Sequence, residues 1–246
     1  MQVDVAVLTK NSQETLRECL QSIYDNVNVN RLIVVDGYST DKTLDIVKEF
    51  EELYGNVVVI MDKGTRATAR QKAIEAVETD WFMFVDSDVV LCDRWLEKAK
   101  KYISDDVGAV WGIEIWSVIE NPIMLKVFSH ITMDIFRVRG GTHDILIRKE
   151  AIEGIRIPPN LHVLEDAYIC NWIKQRGYRV VGTYDPYCIH KRHVSIWSIS
   201  SGVNIAVESF KCGVLHYPRL LPSYVFYAGY FGYQAILHKF KRRYKQ

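Results

Sequence analysis

The sequence predicts an α/β protein in three layers, a mostly parallel sheet with helices on both faces, followed by a C-terminal helical segment. Three observations carry this. Short apolar runs, broken only by Asp4, recur at 3–8, 32–35, 57–61 and 81–85. Stretches with apolar residues at helical spacing separate them. The runs do not alternate with polar residues, which is the pattern of strands covered on both sides.

The elements follow in order. Residues 3–8, rich in β-branched side chains, read as a first strand, and the N-terminus therefore reads as fold rather than as a secretory leader. Asn11, three before Glu14, is expected to cap a helix carrying Leu16, Cys19, Leu20 and Ile23. The second strand, 32–35, runs into the turn-rich "DGYSTDKT" and a helix with Leu44, Val47, Phe50 and Tyr54 on one face. A third strand at 57–61 precedes a helix from about Thr68, with Ala73, Ile74 and Val77 inward. The fourth strand, 81–85, enters Asp86-Ser87-Asp88. Beyond it, 95–102 reads as helix and 107–111 as strand. An apolar, helical stretch ends at Gly140-Gly141, and "DILIRKEAI" reads as strand into helix. "LEDAYICNWIKQRGYRV" reads as a helix with acids in its first turn, where the dipole favours them, before a strand at 180–184.

Composition narrows the function. The chain has 246 residues and a net charge of +1, which excludes a nucleic-acid binder acting by bulk charge. Its five cysteines are scattered and include no C-x-x-C, fitting structural thiols in a reducing cytoplasm. Neither G-x-G-x-x-G nor a P-loop appears. Open α/β sheets bind ligands beyond the carboxyl ends of their strands. Asp36, Asp62, Asp86 and Asp88 all fall there. Asp86 and Asp88, if they continued the strand, would share a face about 7 Å apart. Such a pair suits Mg²⁺ or Mn²⁺. Read alone, D-x-D is equally a polar strand boundary.

Four blocks in order extend this: "VAVLTKNSQETLRECLQSI", "LIVVDGYSTDKT", "GTRATARQKAIEAVETDWFMFVDSDVVL" and "LEDAYICNWIKQRGYRV". Together they resemble the inverting, nucleotide-sugar-dependent glycosyltransferases of family 2, with the GT-A fold, over residues 3–190. The resemblance implies a catalytic domain at 1–195 and an extension at 196–246. It implies a nucleotide-diphosphate sugar donor, Mn²⁺ or Mg²⁺ as cofactor, and an acceptor hydroxyl or lipid phosphate. By the resemblance, Asp36 contacts the base, although Asp36-Gly37 stands where two acids are common. Asp62, Arg66, Arg70 and Asp86 join it on the donor. Asp86, Asp88 and His190 would hold the metal, with His193 as the alternative histidine. Asp166, with Glu165 beside it, would be the catalytic base. Gly141 and His143 would lie by the acceptor. Each has a plainer reading: a capping acid, a solvated arginine, a structural histidine or a turn. A nucleotidyltransferase and a non-catalytic nucleotide-sugar binder are the competing functions.

Residues 196–214 carry apolar residues at helical spacing. Residues 223–237 are uncharged and aromatic-rich, and Lys239, Lys241, Arg242, Arg243 and Lys245 follow. Fifteen residues are too few to span a bilayer, which needs about 20. The segment reads either as a helix on an anionic membrane surface, reaching a lipid-linked acceptor, or as one packed on the domain. The expected location is cytoplasmic, peripheral to the membrane in the first case.

Overall fold

Along the first four strands, neighbouring side chains enter two separate cores. Val5 and Val7 belong to one and Ala6 to the other, and Met83 and Val85 are divided from Phe82 and Phe84 in the same way. That period of two, with apolar residues on both sides, makes the sheet the middle layer. The coordinates are a computed structural model. They describe residues 1–117, 119, 121–159, 161 and 165–191, with only the backbone of 135, 136, 138 and 139. In the C-terminal region they describe Pro222, Val225, Gly229, Gly232, Tyr233 and Ile236.

The strands are β1 (Val3–Thr9), β2 (Val29–Asp36), β3 (Val57–Met61), β4 (Trp81–Asp86), β5 (Val89–Leu91), β6 (Val107–Trp116), β7 (Asp144–Arg148) and β8 (Arg179–His190). The helices are α1 (Leu16–Asn26), α2 (Thr43–Tyr54), α3 (Arg66–Ala76), α4 (Trp95–Lys100), α5 (Pro122–Arg139) and α6 (Glu165–Gln175). One sheet of eight strands has the order β3-β2-β1-β4-β7-β6-β8-β5. The first four strands are parallel; β7 is antiparallel to both β4 and β6. β8 runs parallel to β6, and β5 closes the order antiparallel to β8. Because β5 follows β4 in sequence yet lies at the sheet's far end, the sheet curls.

α1, α2 and α4 supply one core, with Leu16, Leu20, Phe50 and Trp95. α3 and α6 supply the other, with Ala67, Ala73, Ile169 and Ile173. Full burial of one large apolar side chain contributes about 1.5–3 kcal/mol.

Several elements differ from expectation. Asn11 does not cap α1: the helix starts at Leu16, and Asn11 adopts φ 52 with its Oδ1 accepting the Thr40 N–H. α3 starts at Arg66, ahead of Thr68, because the Thr65 hydroxyl oxygen accepts the Thr68 N–H. β5 was not expected, and β6 continues to Trp116. β8 continues to His190 after a register shift opposite Gly112/Ile113. The chain divides into two compact units, Met1–Lys191 and Arg192–Gln246. In the second, the six described residues are all helical and all exposed. The helical pattern at 196–214, the basic tail and His193 lie outside the described residues.

Candidate active site

The loops at the carboxyl ends of β1, β2 and β4 are stitched together. The Asn11 N–H donates to Ser39 Oγ at 2.8 Å, joining the first two. Ser12 Oγ lies 3.0 Å from Ser87 Oγ, and the Thr15 hydroxyl donates to the Ser87 carbonyl, joining the first to the D-x-D turn. The result is a fixed rim around Asp86 and Asp88.

Asp86 is the last residue of β4 and shares the face of Phe82 and Phe84, toward α3 and α6. Arg70 of α3 lies across Phe84, its guanidinium carbon 4.8 Å from the ring centroid. Its Nη2 donates to Asp86 Oδ1 at 3.1 Å, and its Nε stands 3.5 Å from Glu165 Oε1. A buried arginine thus bridges the D-x-D strand to the acid pair that opens α6. Burial opposes its charge, but Asp86, Glu165 and Asp166 outweigh that and hold its pKa above the ordinary value. Glu165 moves upward: burial dominates, Asp166 adds to it, and Arg70 opposes it. Asp166 is buried beside it, and its Oδ1 accepts the Ala167 N–H. Arg66 is exposed at the start of α3, close enough for its charge to favour the Glu165 carboxylate.

Asp88 takes a different direction. The strand has ended, so Asp86 and Asp88 do not share a face. Asp88 Oδ1 lies 2.9 Å from His190 Nε2, and the Asp88 carbonyl accepts the Lys191 N–H. His190 Nδ1 lies 2.6 Å from Glu114 Oε2. Pairing of Val89 with His190 across β5 and β8 brings Asp88 and His190 together. Glu114 is buried in β6 and was not anticipated; its signal was a lone acid within the apolar run "AVWGIEIW". A carboxylate on one ring nitrogen leaves the other aimed at the Asp88 side, the arrangement that orients a metal-binding imidazole. Asp88 and His190 thus bring together one carboxylate and one imidazole, donor types that suit Mn²⁺, while Asp86 turns to Arg70.

Other expected residues are placed elsewhere. Asp36 has no exposed surface; its oxygens accept the Ser39 N–H and the hydroxyls of Ser39 and Thr9. Asp62 turns to α3, pairing with Lys72 Nζ at 2.8 Å and accepting the Thr68 hydroxyl. Burial raises the Asp62 pKa, but Lys72 and Thr68 outweigh it and hold it low. Gly141 and His143 are buried, His143 with Nε2 2.9 Å from the Gly112 carbonyl oxygen.

His143, Asp144 and Cys188 form a second group of potential ligands, with donor atoms within 4.8 Å of one another. Its polar atoms serve the fold: Asp144 accepts the Trp95 Nε1–H at 2.8 Å and the Gly112 N–H. Burial pushes the Asp144 carboxyl up to about 7 and the Cys188 thiol well above its usual value. A cation needs deprotonated ligands, so this group suits one poorly near neutral pH.

The chain is similar to known glycosyltransferases. The chain is 28% identical over 218 residues to the poly(ribitol-phosphate) beta-glucosyltransferase of Bacillus spizizenii, covering 80% of this chain and 34% of that one. It therefore spans about a third of that relative's length. It is 29% identical over 214 residues to the Bacillus subtilis glycosyltransferase TuaG, covering 81% of each. Among solved structures, the mannosyltransferase PcManGT from Pyrobaculum calidifontis, in complex with GDP-Man and Mn²⁺, matches with TM-score 0.65 and 21% identity over 92% of this chain and 73% of that one. S. aureus TarS 1-349 in complex with UDP-GlcNAc matches with TM-score 0.63 and 21% identity, over 85% and 67%. These two share the GT-A fold with this chain. The profile of glycosyl transferase family 2 matches residues 4–139, more than half of the sequence, and the chain belongs to that family.

Proposed function

We propose that this chain transfers a sugar from a nucleoside-diphosphate donor to an acceptor hydroxyl, with inversion at the sugar carbon. The observation that carries the reading is the Arg70 bridge, which ties the D-x-D carboxylate Asp86 to Glu165 beside Asp166. In the reaction, the acceptor oxygen forms a bond to the anomeric carbon while the bond to the diphosphate oxygen breaks. The acceptor proton passes to Asp166, and the nucleoside diphosphate leaves. Arg70 holds Asp86 and Glu165 in register, and Arg66 at the rim faces the donor's negative charge. Asp88 and His190 would hold a divalent ion, with Glu114 keeping the imidazole oriented. Such an ion, when bound, neutralises charge developing on the leaving diphosphate.

The acceptor class we favour is a glycan or lipid-linked acceptor at an anionic surface. Two features support it. The relative from B. spizizenii acts on poly(ribitol-phosphate). The exposed helical residues Val225, Tyr233 and Ile236 precede the basic tail. No helix among the described residues is long and apolar enough to cross a membrane.

The test is a donor screen with Mn²⁺, reading nucleoside diphosphate released with and without acceptor. Asp88→Ala is expected to lose metal-dependent turnover, and full turnover by that variant would remove the metal site. Asp166→Asn is expected to bind nucleotide normally and lose about 10²-fold or more in transfer, as removal of a general base does. Release of pyrophosphate in place of nucleoside diphosphate would overturn the reading.

A further inference from the structure

We propose that the donor's nucleobase is held by stacking on Tyr38, with Lys63 steadying the ring, and that Asp36 positions the loop without touching the base. This rests on the nucleotide-sugar reading above.

Asp36 is enclosed. Its Oδ1 accepts the Ser39 N–H at 2.7 Å, and its Oδ2 accepts the hydroxyls of Thr9 at 2.7 Å and Ser39 at 2.6 Å. With no exposed surface, it could meet a base only by releasing the donors that shape the turn after β2. Gly37 brings no side chain. A Cβ there would stand 3.1 Å from Lys10 Cδ, so the stem of Lys10 already crosses that space. Tyr38 is therefore the first large side chain after β2 that can reach outward.

Tyr38 is 47% exposed and has φ 59. That left-handed conformation favours glycine and costs a tyrosine roughly 1 kcal/mol or more. An exposed aromatic ring held at such a position gains the fold little, and this one lies at the carboxyl end of β2, on the ligand edge. It is also held in place. Asn11, itself at φ 52, donates to Ser39 Oγ and accepts from Thr40. Lys63, from the end of β3, places its ammonium 4.6 Å from the Tyr38 ring centroid. A cation over an aromatic face fixes the ring.

The spacing fits. β1 lies between β2 and β4, so the Tyr38 loop and Asp86 are two strand intervals apart, about 10 Å. That is a suitable span for a nucleoside with its base at one end and its diphosphate at the other.

The experiment measures binding of UDP, GDP, CDP, ADP and inorganic pyrophosphate, with Mn²⁺, to wild type, Tyr38→Phe, Tyr38→Ala and Tyr38→Gly. Stacking of one base predicts a loss of about 5- to 100-fold in affinity for the nucleotide that binds wild type, in both the Ala and Gly variants. Tyr38→Phe should stay within about two-fold, since it keeps the ring. Pyrophosphate, which has no base, should bind every variant as it binds wild type. Tyr38→Gly should melt no lower than wild type, because glycine suits the backbone. Unchanged nucleotide affinity in the Gly variant would overturn the proposal. So would an equal loss for pyrophosphate, which would mean general damage to the site. If wild type binds pyrophosphate but no nucleotide more tightly, the base has no site at Tyr38. If wild type binds none of the probes, the nucleotide-sugar reading itself falls.

Discussion

Glu114 shows how a single side chain can matter without belonging to a motif. The D-x-D acids, the acid pair and His190 were legible because each stands at an element boundary in a recognisable order. Glu114 was not, because one acid in an apolar strand could equally be a satisfied core group. Only the fold shows its partner, His190 Nδ1 at 2.6 Å. Removing a carboxylate that orients a metal-binding imidazole typically costs 10- to 100-fold in affinity. Glu114→Ala is accordingly expected to weaken Mn²⁺ binding by about that factor, with Glu114→Gln intermediate because it can still accept the ring N–H. A Mn²⁺ titration followed by electron paramagnetic resonance, without donor, checks it. Equal affinity in wild type and Glu114→Ala would remove this role. Asp36 carries the opposite lesson. Its type and place suggested contact with the base; in the fold it is buried and its oxygens accept three hydrogen bonds from Thr9 and Ser39.

At the level of elements, β1 to β4 and their helices were legible because each strand carries a short, mostly apolar run, buried on both faces in β1, β2 and β4 and partly buried in the edge strand β3. β5 and the far end of β8 were not. Their pairing is non-local, and a three-residue strand leaves no periodic signal. The β6–β7–β8 region also leaves no room for a side chain at Gly112. A Cβ on Gly112 would sit 2.5 Å from Asp144 Oδ2 and 2.8 Å from the Pro186 carbonyl oxygen. The second contact is backbone, which cannot swing aside. Gly112→Ala is therefore expected to destabilise the fold by about 1–3 kcal/mol, the usual range for overpacking, seen as a lower melting temperature. A melting temperature equal to wild type would show that β8 can shift to admit the methyl group.

For the whole molecule, the basic tail sets the test of location. Each Lys or Arg near an anionic surface contributes about 1 kcal/mol. Replacing Lys239, Lys241, Arg242, Arg243 and Lys245 with glutamine should lower partitioning onto phosphatidylglycerol vesicles by roughly two orders of magnitude or more at low salt. Binding to neutral vesicles should be weak for both proteins. Retained partitioning after charge removal would place the attraction elsewhere. The pairing of β5 with β8 has its own consequence. Asp88 comes from the first half of the chain and His190 from its last described strand, and neither has the other's company until the sheet has curled. A recombinant hybrid that joins the front of this chain to the back of a relative, with its crossover after α5, would inherit the two halves of one site from different parents. Such a hybrid is expected to tolerate exchange only when β5 and β8 travel together, so the useful unit of exchange is a strand pair and not a contiguous segment.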